Sequence, residues 1–223
     1  MKGEKITVRF VSYFFGLFLM TIGIALSVKS NLGVSPVSSI PYTATCVWGF
    51  EMGKATIVFH AVLVLIQIIL LRKNFRIINL LQIIVGIIFG YFTTFCNWGV
   101  AEIFPGSVSN LFVRVAMILV STVFIALGIF FYMPANIMPL AGEGVMMAIS
   151  FVVKIKMHRA KILFDVTMVT VSLVTCIFLL HGMGSVGAGT IMAAILVGIN
   201  LGVLNKFFGA WRDSLLGIGK EGL

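Results

Sequence analysis

Apolar runs dominate the chain, and they come in two lengths. Six are long: Phe10–Val28, Ala55–Leu71, Ile77–Asn97, Phe112–Met133, Ile162–Leu180 and Val186–Leu204. Each approaches the roughly 20 residues that a helix needs to cross a hydrocarbon core. Two are short, Pro36–Trp48 and Pro139–Val153. Segments of that length read as re-entrant or interfacial rather than spanning.

Loop charges decide how the short segments behave. The amino terminus carries Lys2, Lys5 and Arg9 and is placed in the cytoplasm by the positive-inside rule. If both short segments cross fully, the cluster Arg72-Lys73-Asn74-Phe75-Arg76 falls outside, against that rule. If both enter and return, that cluster, the basic stretch Lys154–Lys161 and the tail with Lys206 and Arg212 all fall inside. The pattern therefore predicts an all-α membrane protein: six transmembrane helices plus two re-entrant half-helices, both termini cytoplasmic, Gly53 outside and Asn74 inside.

The chain also repeats itself. Shifted by 105 residues, it aligns with itself over about forty positions without a gap. Gly23, Ile24 and Asn31 meet Gly128, Ile129 and Asn136, and Met52, Ala55, Ile57 and Phe59 meet Met157, Ala160, Ile162 and Phe164. Lys54 meets Arg159. Residues 1–105 form the first repeat and 106–223 the second. Three spans per repeat is odd, so the second copy inserts upside down. Such inverted 3+3 repeats are a transporter signature, with the site near the midplane. Six spans with two half-helices also suit a channel, and fold alone does not choose between them.

Composition supports the membrane assignment. Apolar residues make up 60% of 223 and charged residues 10%, with a mean hydropathy of +1.15. The first run is too long for a signal-peptide core and lacks a clean cleavage site, so it reads as a retained helix. The net charge of +9 does not indicate nucleic acid, because the bases are scattered through loops and chain ends. Cys46, Cys96 and Cys176 lie in apolar segments. Their odd number and the lack of CxxC or nearby His indicate neither disulfides nor a metal site.

After the first long run comes Asn31-Leu-Gly-Val-Ser-Pro36, with Gly33, Ser35 and Pro36 forming Gly-x-Ser-Pro. This motif, with the chain length and helix layout, resembles the YczE/YitT group of bacterial membrane proteins. Members of that group often carry an acid two residues after the Pro; here that position is Ser38. The resemblance implies a bacterial inner-membrane protein and supplies no activity.

The candidate chemistry gathers on the short segments. Ser35-Pro36 reads as an N-cap followed by Pro at the first helical position, and Pro139 opens the second segment in the same way. A half-helix that starts inside the membrane aims free N–H groups inward. Irregular backbone at that depth needs a cavity or a protein cover, so Asn31–Ser39 and Asn136–Gly144 are expected to line a cavity. Glu143, between Gly142 and Gly144, falls opposite Ser38 under the shift. Intramembrane acids are functional-site candidates: Glu143 binds a cation or carries a coupling proton, or else only caps its own backbone. The expected substrate-binding set is Glu143, Ser38, Asn31, Asn136, Ser35 and Ser39.

His60 and Asp165 are repeat mates, expected to flank that site as gate or proton-relay groups without pairing directly. The plainer alternatives are an interhelical hydrogen bond for His60 and an ion pair with Lys161 at i−4 for Asp165. Gln67, Gln82, Asn97 and Asn200 read as bonds across helix interfaces, Gly16 with Gly23 and Gly86 with Gly90 as close-packing faces, and Phe207–Asp213 as an interfacial anchor.

No nucleophile–base pair or paired carboxylates appear, so an enzyme is not expected. The expected function is a permease for a small cationic or neutral solute, with proton coupling through Glu143 as its hypothesis and no cofactor. The alternatives are a non-transporting membrane subunit and a passive channel. The lipid bilayer, the solute and a second copy in a homodimer are the expected partners.

Overall fold

The computed structural model describes residues 2–218. Eight α-helices follow one another among these residues: α1 (Lys2–Ser30), α2 (Pro36–Trp48), α3 (Met52–Leu71), α4 (Leu81–Ile103), α5 (Leu111–Tyr132), α6 (Ala141–Val153), α7 (Met157–Leu180) and α8 (Ala188–Leu216). Short 3-10 turns at Arg72–Asn74, Ile77–Leu80 and Met133–Ala135 link them. Six helices are long and apolar enough to cross a membrane. The other two, α2 and α6, have 13 residues each. Large apolar side chains cover the outside, among them Val58, Ile69, Tyr91, Phe112, Phe178 and Ile191. That surface is stable only against lipid tails.

The centre of the molecule is the crossing of α1 and α5, and glycine sets how close it is. A Cβ on Gly16 would lie 2.6 Å from the Gly128 carbonyl, and one on Gly128 would lie 2.6 Å from the Gly16 carbonyl. One turn pair further along, a Cβ on Gly23 would lie 2.7 Å from the Ser121 carbonyl and from Ile125. Ser121 donates its hydroxyl to the Gly23 carbonyl at 2.7 Å. Small residues let backbones approach where lipid offers no hydrophobic drive for association. Tyr13, Leu17, Ile125 and Tyr132 fill the core around the crossing.

The other helices form two layers on this pair. Helix α4 packs on α1 and α8 on α5, while α2 lies against α7 and α6 against α3. Polar side chains lock the short helices. Gln67 donates to Gln82 Oε1 at 2.8 Å and to the Ala141 carbonyl at 3.1 Å, tying α3 to α4 and α6. Ser172 of α7 donates to Ser39 of α2 at 2.9 Å. Asn200 bridges α8 to Thr122 of α5 at 3.1 Å. Asn97 departs from the expected interhelical role: it bonds the Thr93 carbonyl of its own helix at 2.9 Å.

Helices α3 and α4 close tightly, because Gly90 abuts the Gly53 carbonyl at 2.7 Å from its would-be Cβ and Gly86 abuts His60. The Gly86/Gly90 face is therefore spent inside the fold. Helices α7 and α8 have no such closure. They follow one another in the chain yet do not pack along each other. The sequence explains this: α7 contains no glycine, and Gly198, Gly202 and Gly209 of α8 have nothing within 4 Å of a would-be Cβ.

Among the element boundaries that differ from expectation, two have a visible cause. Pro139 does not open α6, which starts at Ala141 with Leu140 as N-cap; the residue 105 after Pro36 is Ala141, so the proline falls two positions early. Helix α8 runs on to Leu216 and absorbs the Phe207–Asp213 stretch. Arg212 makes this possible by bonding Asn205 Oδ1 at 2.6 Å and standing over the Phe130 ring at 4.5 Å.

The two types of glycine make opposite predictions. Gly128→Leu should force α1 from α5 and destabilise the fold by about 1–3 kcal/mol, the usual range for overpacking. Gly198→Ala should leave it unchanged or slightly more stable. Thermal unfolding of both variants in detergent checks this; equal midpoints would contradict the close-crossing account.

Candidate substrate site

Both segments that lead into the short helices begin with an asparagine in the left-handed region. Asn31 and Asn136 each have φ 51°, a conformation that Asn tolerates better than branched residues. Each turn sends the chain back toward the body of the protein. Loop 31–35 is then fixed to the start of α8. Val34 N–H donates to the Ser185 carbonyl at 3.2 Å, and Gly189 N–H donates to the Leu32 carbonyl at 2.8 Å. Gly33, at φ +105°, lies so close to Gly187 that a Cβ would come within 2.6 Å of its nitrogen. Arg114 holds the same loop through the Ser30 carbonyl at 2.6 Å and through the Asn31 carbonyl.

The corresponding loop, 136–140, is held differently. Tyr13 donates to the Met138 carbonyl at 2.7 Å. Tyr132 accepts the Leu140 N–H at 2.9 Å and donates to the Glu143 carboxylate. Among the described residues, no backbone bond joins residues 137–139 to the start of α4. A cavity of about 440 Å³ lies there instead, bordered by Asn79, Asn136, Pro139 and Glu143.

A larger cavity of about 490 Å³ lies at the centre. Ser35 and Ser38 of the first loop and α2, Gly142 and Glu143 of α6, His60 of α3 and Asp165 of α7 all border it. Glu143, Met133 and Met157 border both cavities and form the wall between them. The volumes suit a small organic molecule. The rest of the central lining is His158 and Lys161 of α7 together with apolar side chains, including Met20, Ile24, Phe89, Ile125 and Val197.

Six of the eight expected site residues therefore reach one cavity or the other. Glu143, Ser38, Ser35, His60 and Asp165 border the central one, and Asn136 the smaller one. Two do not. Asn31 is exposed at the surface, where its backbone serves Arg114. Ser39 is fully buried and turned toward α7: it donates to the Pro36 carbonyl at 2.7 Å and accepts from Ser172. A helix turns 100° per residue, so Ser38 and Ser39 cannot face the same way. Ser35 holds the N-cap position of α2, but its hydroxyl goes to Ser38 Oγ at 3.0 Å and not to a backbone N–H.

Among the described residues His60 makes no interhelical hydrogen bond. It is 3% exposed, its ring stacks on Phe89 at 5.6 Å, and its Nδ1 has no partner among the described residues. Gly86 opposite makes room for the ring but offers no acceptor. Asp165 accepts Lys161 Nζ on Oδ2 at 2.6 Å, the i−4 pair, and its Oδ1 is unpartnered among the described residues. Two titratable groups with spare hydrogen-bonding capacity thus border one cavity. Tyr132 is the site residue that sequence reasoning missed. The available signal was a tyrosine at the end of an apolar run, since a buried phenol needs a partner.

Comparison with known proteins agrees with a membrane protein. Residues 7–206 match the model of the family of unknown function DUF6198. The chain is similar to "Uncharacterized membrane protein YczE" of Bacillus subtilis (strain 168), with 26% identity over 201 residues, 89% of this chain and 86% of that protein. No solved structure matches. With nearly all of its helices inside the matched region, the chain belongs to the DUF6198 family and is a multi-pass membrane protein of the YczE type.

Proposed function

We propose that the protein is a small secondary transporter of the bacterial cytoplasmic membrane, built as an inverted repeat of residues 1–105 and 106–223. Its solute is cationic or neutral and binds in the central cavity beside Glu143. The observation that carries this reading is the pair of cavities meeting at Glu143. A carboxylate bonded to Tyr132 borders both of them, and Lys161, which borders the central one as well, is paired with Asp165.

The reciprocal α1–α5 contact supports the inverted repeat. Gly23 and Gly128 are 105 residues apart, as are Gly16 and Ser121, and as are Met20 and Ile125. Gly128 packs on Gly16 and Met20, while Gly23 packs on Ser121 and Ile125. A twofold axis in the membrane plane exchanges these two contacts.

The grouping of chain ends supports re-entrant α2 and α6. Lys29 bonds the Gly106 carbonyl at 2.7 Å, and loop 31–35 bonds residues 185–189. These belong to one side. Arg9 bonds the Leu216 carbonyl at 2.9 Å, and Ser12 bonds the Phe131 carbonyl at 3.0 Å. These belong to the other, which carries the basic clusters and is the cytoplasm under the positive-inside rule.

On this reading the conformation faces the cytoplasm. The outer side is sealed by the backbone bonds between residues 32–34 and 185–189. The inner side has the smaller cavity at the matching place. Transport exchanges the two conditions, and Glu143 is exposed to each in turn. It is positioned to bind a cation in one state and release it in the other.

Two experiments test these claims. Cysteines placed at Gly49 and Ser107 should react with an impermeant maleimide in intact cells, and those at Asn74 and Lys156 only after permeabilisation. Labelling of Asn74→Cys from outside would show that the short helices span. For coupling, uptake of organic cations by proteoliposomes should rise with an imposed pH gradient, and Glu143→Gln should abolish that dependence. An unchanged pH profile in Glu143→Gln would remove the proton-carrier role.

A further inference from the structure

The unsealed seam between α7 and α8 changes what the central cavity can hold. The cavity lining includes Lys161 and Asp165 on α7 and Ala194, Val197, Gly198 and Leu201 on α8. Ala194 and Gly198 are exposed residues and still border the cavity, with open space before Gly198. On the opposite flank Phe89 of α4 is buried and fills the corresponding depth between α3 and α4. The outer faces beside the seam are apolar, with Val166 and Phe178 on α7 and Ile191, Ile195 and Ile199 on α8 exposed. Such faces lie in lipid.

We propose that the seam between α7 and α8 is a lateral portal to the bilayer, and that the cavity takes an amphiphile: an ammonium head at Glu143 with an apolar chain leaving between Ala194, Gly198 and α7. The proposal rests on the reading of Glu143 as the head-binding group and adds the substrate class. Three observations converge on it. The cavity takes polar groups from α2, α3, α6 and α7, with Glu143 held by Tyr132 and Lys161 paired to Asp165, and is otherwise apolar. The cavity runs out between two helices that do not pack, along an apolar α8 side with Ala194, Val197 and Leu201 and an α7 side that carries the Lys161–Asp165 pair. His60, 3% exposed, borders the same cavity with an unpartnered Nδ1; a buried polar group without a partner marks a place for a ligand's polar atom or a water. The ammonium can belong to a lipid, as in phosphatidylethanolamine, or to a free alkylamine dissolved in the membrane. Both present the same chemistry to the site.

The test uses the full-length protein in lipid nanodiscs and a dodecylammonium probe with a diazirine in its chain, against a short-chain diazirine amine. The long probe should label residues of α7 and α8 around Asp165 and Gly198, and Ala194→Phe should reduce that labelling at least tenfold. Short-amine protection of Glu143 from carboxyl-modifying reagent should be the same in wild type and Ala194→Phe. Loss of both would show a misfolded variant, so Gly198→Leu is measured beside it and should behave like Ala194→Phe. Nanodiscs containing phosphatidylethanolamine that lower labelling relative to phosphatidylglycerol alone identify the lipid as the occupant; equal labelling identifies the free amine. Equal labelling by long and short probes, unaffected by Ala194→Phe, would overturn the portal while leaving the Glu143 site standing. Efficient disulfide-linked dimers of Ile195→Cys would also overturn it, because a second copy would then cover the seam.

Discussion

The close crossing of α1 and α5 is the constraint on which the rest depends. Two glycines, Gly16 and Gly128, bring the backbones together, and the Ser121–Gly23 bond fixes the register one step away. In lipid, helices gain no hydrophobic free energy by meeting, so contact area and interhelical hydrogen bonds must hold them. Once these axes are fixed, α4 and α8 dock on their flanks, and the space beside the crossing is left to the short helices. Their starts border the central cavity, and their ends, Trp48 and Val153, are exposed.

The two flanks then diverge because their side chains do. Gly53, Gly86 and Gly90 let α3 and α4 close against each other, and Phe89 fills the gap. Helix α7 has no glycine and carries His158, Lys161 and Asp165 toward the cavity. The result is a central chamber with one closed wall and one open seam. Its carboxylate, Glu143, is set by Tyr132 from outside the chamber, since the phenol holds the carboxylate and the α6 start in one arrangement. The proposed transport function and the proposed amphiphilic substrate both follow from this uneven chamber.

Much of the architecture was legible in the chain, for identifiable reasons. The six long runs and two short ones follow from the thickness of hydrocarbon. Gly16, Gly23 and Gly86 with Gly90 announced close packing by spacing alone, and Glu143 stood out as an acid in apolar surroundings. What was not legible depends on neighbours distant in sequence. Ser39 faces α7 because of the phase of α2 against Ser172, which no local pattern encodes. His60 lacks the bond expected of a buried imidazole because its facing residue is Gly86. The α7–α8 seam is a property of two helices failing to meet, and both read individually as ordinary spans. The role of Tyr132 required knowing that residue 132 comes back beside residue 143.

The central claim is that one side of the chamber is sealed while the other is open, and that the two conditions exchange. Distances between spin labels in lipid nanodiscs test it directly, with one pair at Asn31 and Met183 and a second at Ile78 and Asn136. The account predicts two populations for each pair, with the short distance of one accompanying the long distance of the other. Gly33→Ala, which places a Cβ against Gly187, should shift the first pair toward the long distance and the second toward the short. A single population for both pairs, unmoved by Gly33→Ala, would contradict it.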